Sequence, residues 1–288
     1  MSITGKARIA GVMGWPVAHS RSPACHGYWL ERYRIDGAYV PLPVRPENLE
    51  AALRALPLLG FAGVNLTLPH KEAALGLVDR VDAEARRIGA VNTISVEADG
   101  TLTATNTDGF GFLESLRASA PNWQAAKGPA VVLGAGGAAR AVVAALLDAG
   151  VPEIRLLNRT AARADALRDA LAGPIRTESW DARDDALAGA NALVNTTTLG
   201  MTGAADLEIN LDALPEAALV TDLVYAPLET PLLKAAKARG HRTVDGLGML
   251  LHQARPGFRT WFGRDPDVTD ALRAHVVGDA GAAGNAAE

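Results

Sequence analysis

Two hydrophobic patterns take turns along the whole chain. Short apolar runs of strand length recur at 7–13 (ARIAGVM), 38–44 (AYVPLPV), 61–67 (FAGVNLT), 89–96, 101–105, 131–133, 153–158 (EIRLLN), 192–195 (ALVN), 219–223 (LVTDL) and 241–244. Helix-forming stretches separate them at 24–34, 47–56, 82–88, 110–118, 138–149 and 230–240, with a final helical region at 249–276. Strands alternating with helices in both halves predict two α/β domains. Punctuation agrees with this reading. Asp99-Gly100 predicts a hairpin turn, and Ser22-Pro23 predicts a helix start with Ser22 as its N-cap. Arg255-Pro256-Gly257 predicts a kink or restart in the last helical region, because proline removes a helix hydrogen bond and restricts its predecessor. The end, GDAGAAGNAAE at 278–288, has almost nothing to bury and reads as a disordered tail.

The stretch from Pro129 to Gly150 carries the strongest local signal. An apolar strand end runs into Gly134-Ala135-Gly136-Gly137, and an Ala/Leu/Val-rich helix follows. Strand, glycine turn and helix give a G-x-G-x-x-A motif the context it needs to hold a pyrophosphate at a helix N-terminus. The second strand of this half ends in Asn158-Arg159-Thr160-Ala161-Ala162-Arg163. A site for NAD usually offers Asp or Glu there, to accept from the ribose 2′-hydroxyl. Two arginines four apart and a hydroxyl suit a phosphate dianion instead, so the segment reads as NADP-binding. Asn195 to Met201 stands at another strand end, where its hydroxyls and backbone could line the ribose or nicotinamide.

Polar groups also collect at strand ends in the first half. Ser20 and Ser22 flank a helix start, where they could hold a carboxylate; equally, Ser22 caps the helix and Ser20 is incidental. Asn65 and Thr67 share one face of their strand, which ends in Leu68-Pro69-His70-Lys71. Asn106-Thr107-Asp108-Gly109 closes the hairpin's return strand, and a turn with a helix cap would account for it without chemistry.

Composition narrows the classes. The chain has 288 residues, 49% hydrophobic and 21% charged, which is globular and long enough for two domains. A net charge of −4 without a long basic run argues against nucleic acid as a partner. No apolar run approaches the roughly 20 residues that span a bilayer, so no membrane partner is expected. The N-terminal residues lack a signal-peptide pattern, and a cytoplasmic protein is expected. The single cysteine, Cys25, forms no intrachain disulfide, and nothing near it suggests a metal site.

Taken together, HSRSP (19–23), GVNLTLPHK (63–71), GAVNT (89–93), NTDG (106–109), GAGGAAR (134–140), NRTAAR (158–163) and GLGML with Gln253 (246–253) resemble the shikimate dehydrogenase family over nearly the whole chain. The resemblance implies NADPH-dependent reduction of 3-dehydroshikimate to shikimate, in the pathway to chorismate and the aromatic amino acids. It implies a substrate-binding domain at 1–109, a Rossmann-like NADP-binding domain at 110–245, and C-terminal helices at 246–277 returning to the first domain. It makes Lys71 and Asp108 the catalytic pair. Ser20 and Ser22 would take the substrate carboxylate, Asn65, Thr67, Asn92 and Gln253 the ring hydroxyls, and Tyr225 would lie near the carboxylate. Gly134, Gly136, Gly137, Ala138, Asn158, Arg159, Thr160 and Arg163 would hold NADP, with Gly246 and Met249 near the nicotinamide. No metal is implied, and the protein is expected to act as a monomer or homodimer on a small molecule. Two alternatives stay open: a quinate/shikimate dehydrogenase with relaxed substrate or NAD use, and a non-catalytic NADP-binding regulator, which should have lost Lys71 or Asp108.

Overall fold

A computed structural model describes residues 3–284. The chain divides into two compact units, one made of Met1–Thr107 with Leu251–Glu288, the other of Asp108–Leu250.

The first unit begins β1 (Arg8–Gly14), α1 (Ser22–Arg32), β2 (Gly37–Pro43), α2 (Leu49–Ala55) and β3 (Phe61–Leu66). It continues with α3 (His70–Ala73), β4 (Arg80–Val81), α4 (Ala83–Ile88), β5 (Thr93–Val96) and β6 (Leu102–Thr105). Its six strands lie in the order β2-β1-β3-β5-β6-β4. β1 runs parallel to both β2 and β3, whereas β5 is antiparallel to β3 and β6. The hairpin expected at Asp99-Gly100 accounts for that reversal, with Gly100 at φ +84. β4 is too short to leave a periodic signal and was not foreseen. Met13, Leu53, Val64, Leu66 and Ile94 form the apolar core of this sheet.

The second unit contains α5 (Asp108–Ser119), β7 (Ala130–Leu133), α6 (Gly137–Asp148), β8 (Ile154–Leu157), α7 (Ala161–Leu171) and β9 (Ile175–Glu178). β10 (Ala192–Asn195), β11 (Leu219–Asp222), α8 (Pro231–Ala238) and β12 (Arg242–Val244) complete its strands. All pairs are parallel, in the order β12-β11-β10-β7-β8-β9. The chain reverses its direction of growth between β7 and β10, and ligands of open α/β sheets bind at the strand C-termini beside such a point. β9 is half polar and also escaped the pattern. α6 buries apolar residues on most of its circumference, as a crossover helix pressed on a parallel sheet must.

The C-terminal region holds two helices, α9 (Gly246–Phe262) and α10 (Asp270–Gly284). The restart expected at Pro256 does not occur; α9 runs through it. The missing proline N–H is tolerated because a long apolar face is buried here, with Ala254, Phe258 and Trp261 at 0–1% exposure. The break comes instead at Gly263, in left-handed conformation at φ +74, a common way to end a helix. Arg255 holds the following turn, donating from Nε to the Pro266 carbonyl at 3.0 Å. The Thr269 hydroxyl accepts the Leu272 N–H at 3.2 Å and so starts α10. α10 reaches Gly284, so 278–284 of the expected disordered tail is helical, in keeping with its alanine content. Residues 285–288 lie outside the described residues.

The second half of α9 is fastened to the first unit's sheet. Trp261 Nε1 donates to the Ile94 carbonyl at 3.2 Å. Gly63 permits this, since a Cβ there would stand 2.1 Å from Trp261 Nε1. Trp261 and Phe258 join Trp29, Tyr39 and His26 in one aromatic cluster. Among the described residues no helix is long and apolar enough to cross a membrane, and no group of three or more His, Cys, Asp or Glu is placed to hold a metal.

Fully buried His26 has a consequence for stability. Desolvation pushes its imidazole down from 6.5 to about 3, so it is neutral in the folded chain at pH 5. The unfolded chain takes up a proton below pH 6.5, so between pH 6.5 and about 3 the unfolded state binds more protons and stability falls as pH falls. The loss from this group approaches about 1.4 kcal/mol per pH unit. Urea unfolding from pH 7 to 4 should therefore show a shallower pH slope for His26→Phe than for the wild type. Equal slopes would mean that His26 does not set the acid sensitivity.

Candidate active site

In the first unit the candidate ligands are joined by one buried network of amides and hydroxyls. Asn65, on β3, is 4% exposed, and Asn92, just before β5, is 2% exposed. Asn65 donates from Nδ2 to the Asn92 carbonyl at 3.1 Å and to Thr93 Oγ1 at 3.0 Å. Thr93 Oγ1 donates in turn to Asn92 Oδ1 at 2.9 Å. Asn92 Oδ1 also takes the Thr107 N–H at 2.9 Å, while Asn92 Nδ2 donates to Thr107 Oγ1 at 3.0 Å and to Gln253 Oε1 at 3.3 Å. Thr107 Oγ1 donates to the Gln253 backbone carbonyl at 2.8 Å. Four separate stretches of chain thus converge on Asn92. A buried polar group without a partner costs about 1–3 kcal/mol, so these residues hold one another in place. Gln253 joins this network from a helix that runs unbroken through Pro256, and Thr107, next to it in the network, anchors the backbone one residue before Asp108.

The stretch carrying Ser20 and Ser22 is built differently from expectation. Ser22 is the first residue of α1, not its N-cap; Arg21 occupies that position in helical conformation and no side chain caps the helix. The backbone between Ser20 and Ser22 is therefore helical at Arg21. The two are linked, Ser20 Oγ accepting the Ser22 N–H at 3.4 Å. Ser22 is 6% exposed.

Lys71 lies half-buried in α3, just past the end of β3, and its carbonyl accepts the Val91 N–H at 2.8 Å. Thr67 is half-buried at the same strand end, where its N–H donates to the Met13 carbonyl at 2.9 Å. The neighbouring His70 is structural. It is 1% exposed and hydrogen-bonds the Val44 carbonyl through Nε2 at 2.8 Å. His19 is exposed.

In the second unit Asp108 opens α5 at 3% exposure, where the helix dipole favours a negative charge. The glycine turn follows β7 as the motif requires. Gly134 has φ +109, and a Cβ there would lie 2.5 Å from Thr196 Oγ1. Gly136 is the N-cap of α6, and Gly137 and Ala138 form its first turn, so backbone N–H groups point out of the helix start. The Asn195–Met201 segment buttresses this turn more than it lines it. Thr196 Oγ1 donates to the Leu133 carbonyl at 2.6 Å, and Thr197 Oγ1 to Asn195 Oδ1 at 2.7 Å. Asn195 Nδ2 donates to Asp222 Oδ1 at 2.9 Å, and Asp222 Oδ2 accepts from Thr230 Oγ1 at 2.7 Å. Burial pushes the Asp222 carboxyl above the usual carboxylate range. These bonds fix the loop that carries half-buried Tyr225. Gly246 and Met249 are buried in the first turn of α9.

At the end of β8, Asn158 Nδ2 donates to the Thr160 carbonyl at 2.8 Å. Thr160 is the N-cap of α7, but its hydroxyl makes no capping bond. Arg159 and Arg163 are exposed, and neither guanidinium has an acidic partner among the described residues. The nearby Arg155, Arg168 and Arg176 all pair with carboxylates. Two free guanidiniums, a free hydroxyl and a helix N-terminus make a set of donors that fits a phosphate. Arg159 also lines a cavity of about 440 Å³ with Asn158, Thr177 and Trp180.

Tyr39, Thr93 and Asp222 were missed as parts of these networks. Tyr39 did leave a signal: a tyrosine in the middle of an apolar strand needs a partner for its hydroxyl when buried.

Known proteins resemble both units. Three family descriptions match: "Shikimate dehydrogenase substrate binding domain" over residues 12–94, "Shikimate / quinate 5-dehydrogenase" over 117–202, and "Shikimate 5'-dehydrogenase C-terminal domain" over 246–276. Shikimate dehydrogenase (NADP(+)) of Rhodospirillum rubrum is 63% identical over 280 residues, covering 96% of this chain and 99% of its own. The protein of that name from Paramagnetospirillum magneticum is 61% identical over 275 residues, covering 96% and 100%. Among solved structures, shikimate 5-dehydrogenase of Thermus thermophilus in complex with NADP(H) and shikimate superposes with a TM-score of 0.84 at 41% identity, covering 94% of this chain and 99% of that one. Quinate dehydrogenase of Corynebacterium glutamicum in complex with NAD gives 0.87 at 33% identity, covering 94% and 99%.

Proposed function

The chain belongs to the shikimate dehydrogenase family, and on that premise we propose that it reduces the ring ketone of 3-dehydroshikimate to the secondary alcohol of shikimate, reversibly and with NADPH. The step serves chorismate and aromatic amino acid biosynthesis. One observation carries the reading most directly. A buried, uncharged wall of amides and hydroxyls suited to a polyol occurs in the same chain as a phosphate turn followed by two unpaired arginines.

NADPH supplies the hydride when bound; the residues of the chain manage position and proton. Ser20 and Ser22 take the carboxylate, while Asn65, Thr67, Asn92 and Gln253 meet the ring hydroxyls. Tyr225 lies toward the carboxylate. Lys71 donates a proton to the oxygen that becomes the hydroxyl, and is reprotonated from solvent. In the reverse direction it accepts that proton. Asp108 meets a ring hydroxyl and completes the catalytic pair with Lys71. Gly134, Gly136, Gly137 and Ala138 receive the pyrophosphate, Asn158, Arg159, Thr160 and Arg163 the 2′-phosphate, and Gly246 and Met249 flank the nicotinamide. Serine at both 20 and 22 favours shikimate over quinate, and the unpaired arginines favour NADP over NAD. We place the protein in the cytoplasm as a monomer or homodimer acting on a small molecule, without nucleic acid or membrane as partner. A net charge of −4 argues against nucleic acid as a partner.

Lys71→Ala should lower kcat by about 10²–10⁴-fold, the usual loss for one positioned acid/base group, with NADP affinity nearly unchanged in a fluorescence titration. Wild-type kcat would remove Lys71 from the mechanism. Arg159→Ala should raise KM for NADP⁺ and leave the rate with NAD⁺ almost as before. An equal loss with both cofactors would show that Arg159 does not read the 2′-phosphate.

A further inference from the structure

Tyr39 stands in the middle of β2, 7% exposed, with its ring stacked on His26 at 3.8 Å between centroids and 6° between planes. Neither ring nitrogen of His26 has a hydrogen-bond partner, and the imidazole is a flat, neutral floor for the phenol. The phenol in turn donates to Asn65 Oδ1 at 2.7 Å. Burial raises the phenol's pKa well above its ordinary value, so it keeps the proton that it gives to Asn65.

The orientation of Asn65 follows from the chemistry of its neighbours. The Asn92 carbonyl can only accept, so the Asn65 NH₂ must face it, and Oδ1 must face Tyr39. Both Nδ2 hydrogens are committed, to the Asn92 carbonyl and to Thr93 Oγ1. Of the two lone pairs on Oδ1, Tyr39 takes one. Asn65 therefore meets an incoming ligand only as an acceptor, through the one lone pair that is left. It can receive a hydroxyl hydrogen and has nothing to offer a ketone or ether oxygen.

We propose that Tyr39 is a positioning residue of the substrate half-site: its phenol, seated on His26, fixes Asn65 as a hydroxyl-reading acceptor, so that one buried side chain sets the hydroxyl end of the site. This rests on the role of Asn65 in the proposed function. It adds a residue that never touches the substrate yet controls how tightly the substrate is held.

Tyr39→Phe keeps the ring, the stack and nearly all the volume, and removes only the hydroxyl. Kinetics should show KM for shikimate raised about tenfold, the loss expected for one well-made buried hydrogen bond. kcat should stay within about twofold and KM for NADP⁺ should not move. In ¹⁵N spectra of the ligand-free variant, the Asn65 side-chain NH₂ resonances, assigned by their absence in Asn65→Asp, should shift and exchange faster than in the wild type. A fall in Tm with unchanged KM for shikimate would overturn the proposal, because a merely structural tyrosine would do just that. Unchanged Asn65 resonances would overturn it whatever the substrate proves to be. Absence of shikimate turnover in the wild type would instead refute the proposed function, and the spectra would still decide whether Tyr39 holds Asn65.

Discussion

The structure of the first unit depends on the demand that buried amides be satisfied. Asn92 is 2% exposed and cannot turn to water, so each of its polar atoms needs a protein partner. It finds them in Thr93, Thr107 and Gln253. Those contacts draw together the leader of β5, the end of β6 and the middle of α9. Asn65 ties β3 to the same point, and Tyr39 ties β2 to Asn65. A set of groups that could each bind a hydroxyl is thereby held rigid before any ligand arrives. Such preorganisation lowers the ordering cost of binding.

The second unit meets a similar demand with one buried carboxylate. Asp222 accepts from Asn195, Val224 and Thr230, and so secures the loops after β10 and β11 beside the switch point of the sheet. The hydroxyls spent on that scaffold contrast with the groups left free at the end of β8. Among the described residues, Arg159 and Arg163 have no acidic partner and the Thr160 hydroxyl makes no capping bond. Buried groups are saturated to hold shape, while exposed donors at the end of β8 stay unpaired and could receive a charged ligand.

Much of this was legible from local pattern. Alternation placed most of the strands, and the strand, glycine turn and helix around Gly134 stand where the motif put them, because those signals arise within a few residues of sequence. What escaped depends on contacts between distant segments. Gln253 and Asn92 are 161 residues apart, and Tyr39 and Asn65 are 26 apart, so no window of sequence reveals either bond. β4 and β9 were lost because two or four residues cannot display a period. Pro256 looked like the end of a helix, yet burial of Phe258 and Trp261 outweighed one missing N–H. The real stop, Gly263, carried an ordinary signal overshadowed by the proline. Ser22 was misplaced by one position, since a proline is accepted at either of the first two helical residues and here it stands second.

The most direct test follows reduced nicotinamide by its absorbance in initial-rate assays that cross shikimate and quinate with NADP⁺ and NAD⁺. If a hydroxyl-reading wall and a phosphate-reading arginine pair define this site, turnover with shikimate and NADP⁺ will dominate the other pairings. Equal or faster turnover with quinate or with NAD⁺ would contradict the reading of the serines or of the arginines. A folded protein that binds NADP⁺ but turns over none of the pairings would contradict the account as a whole.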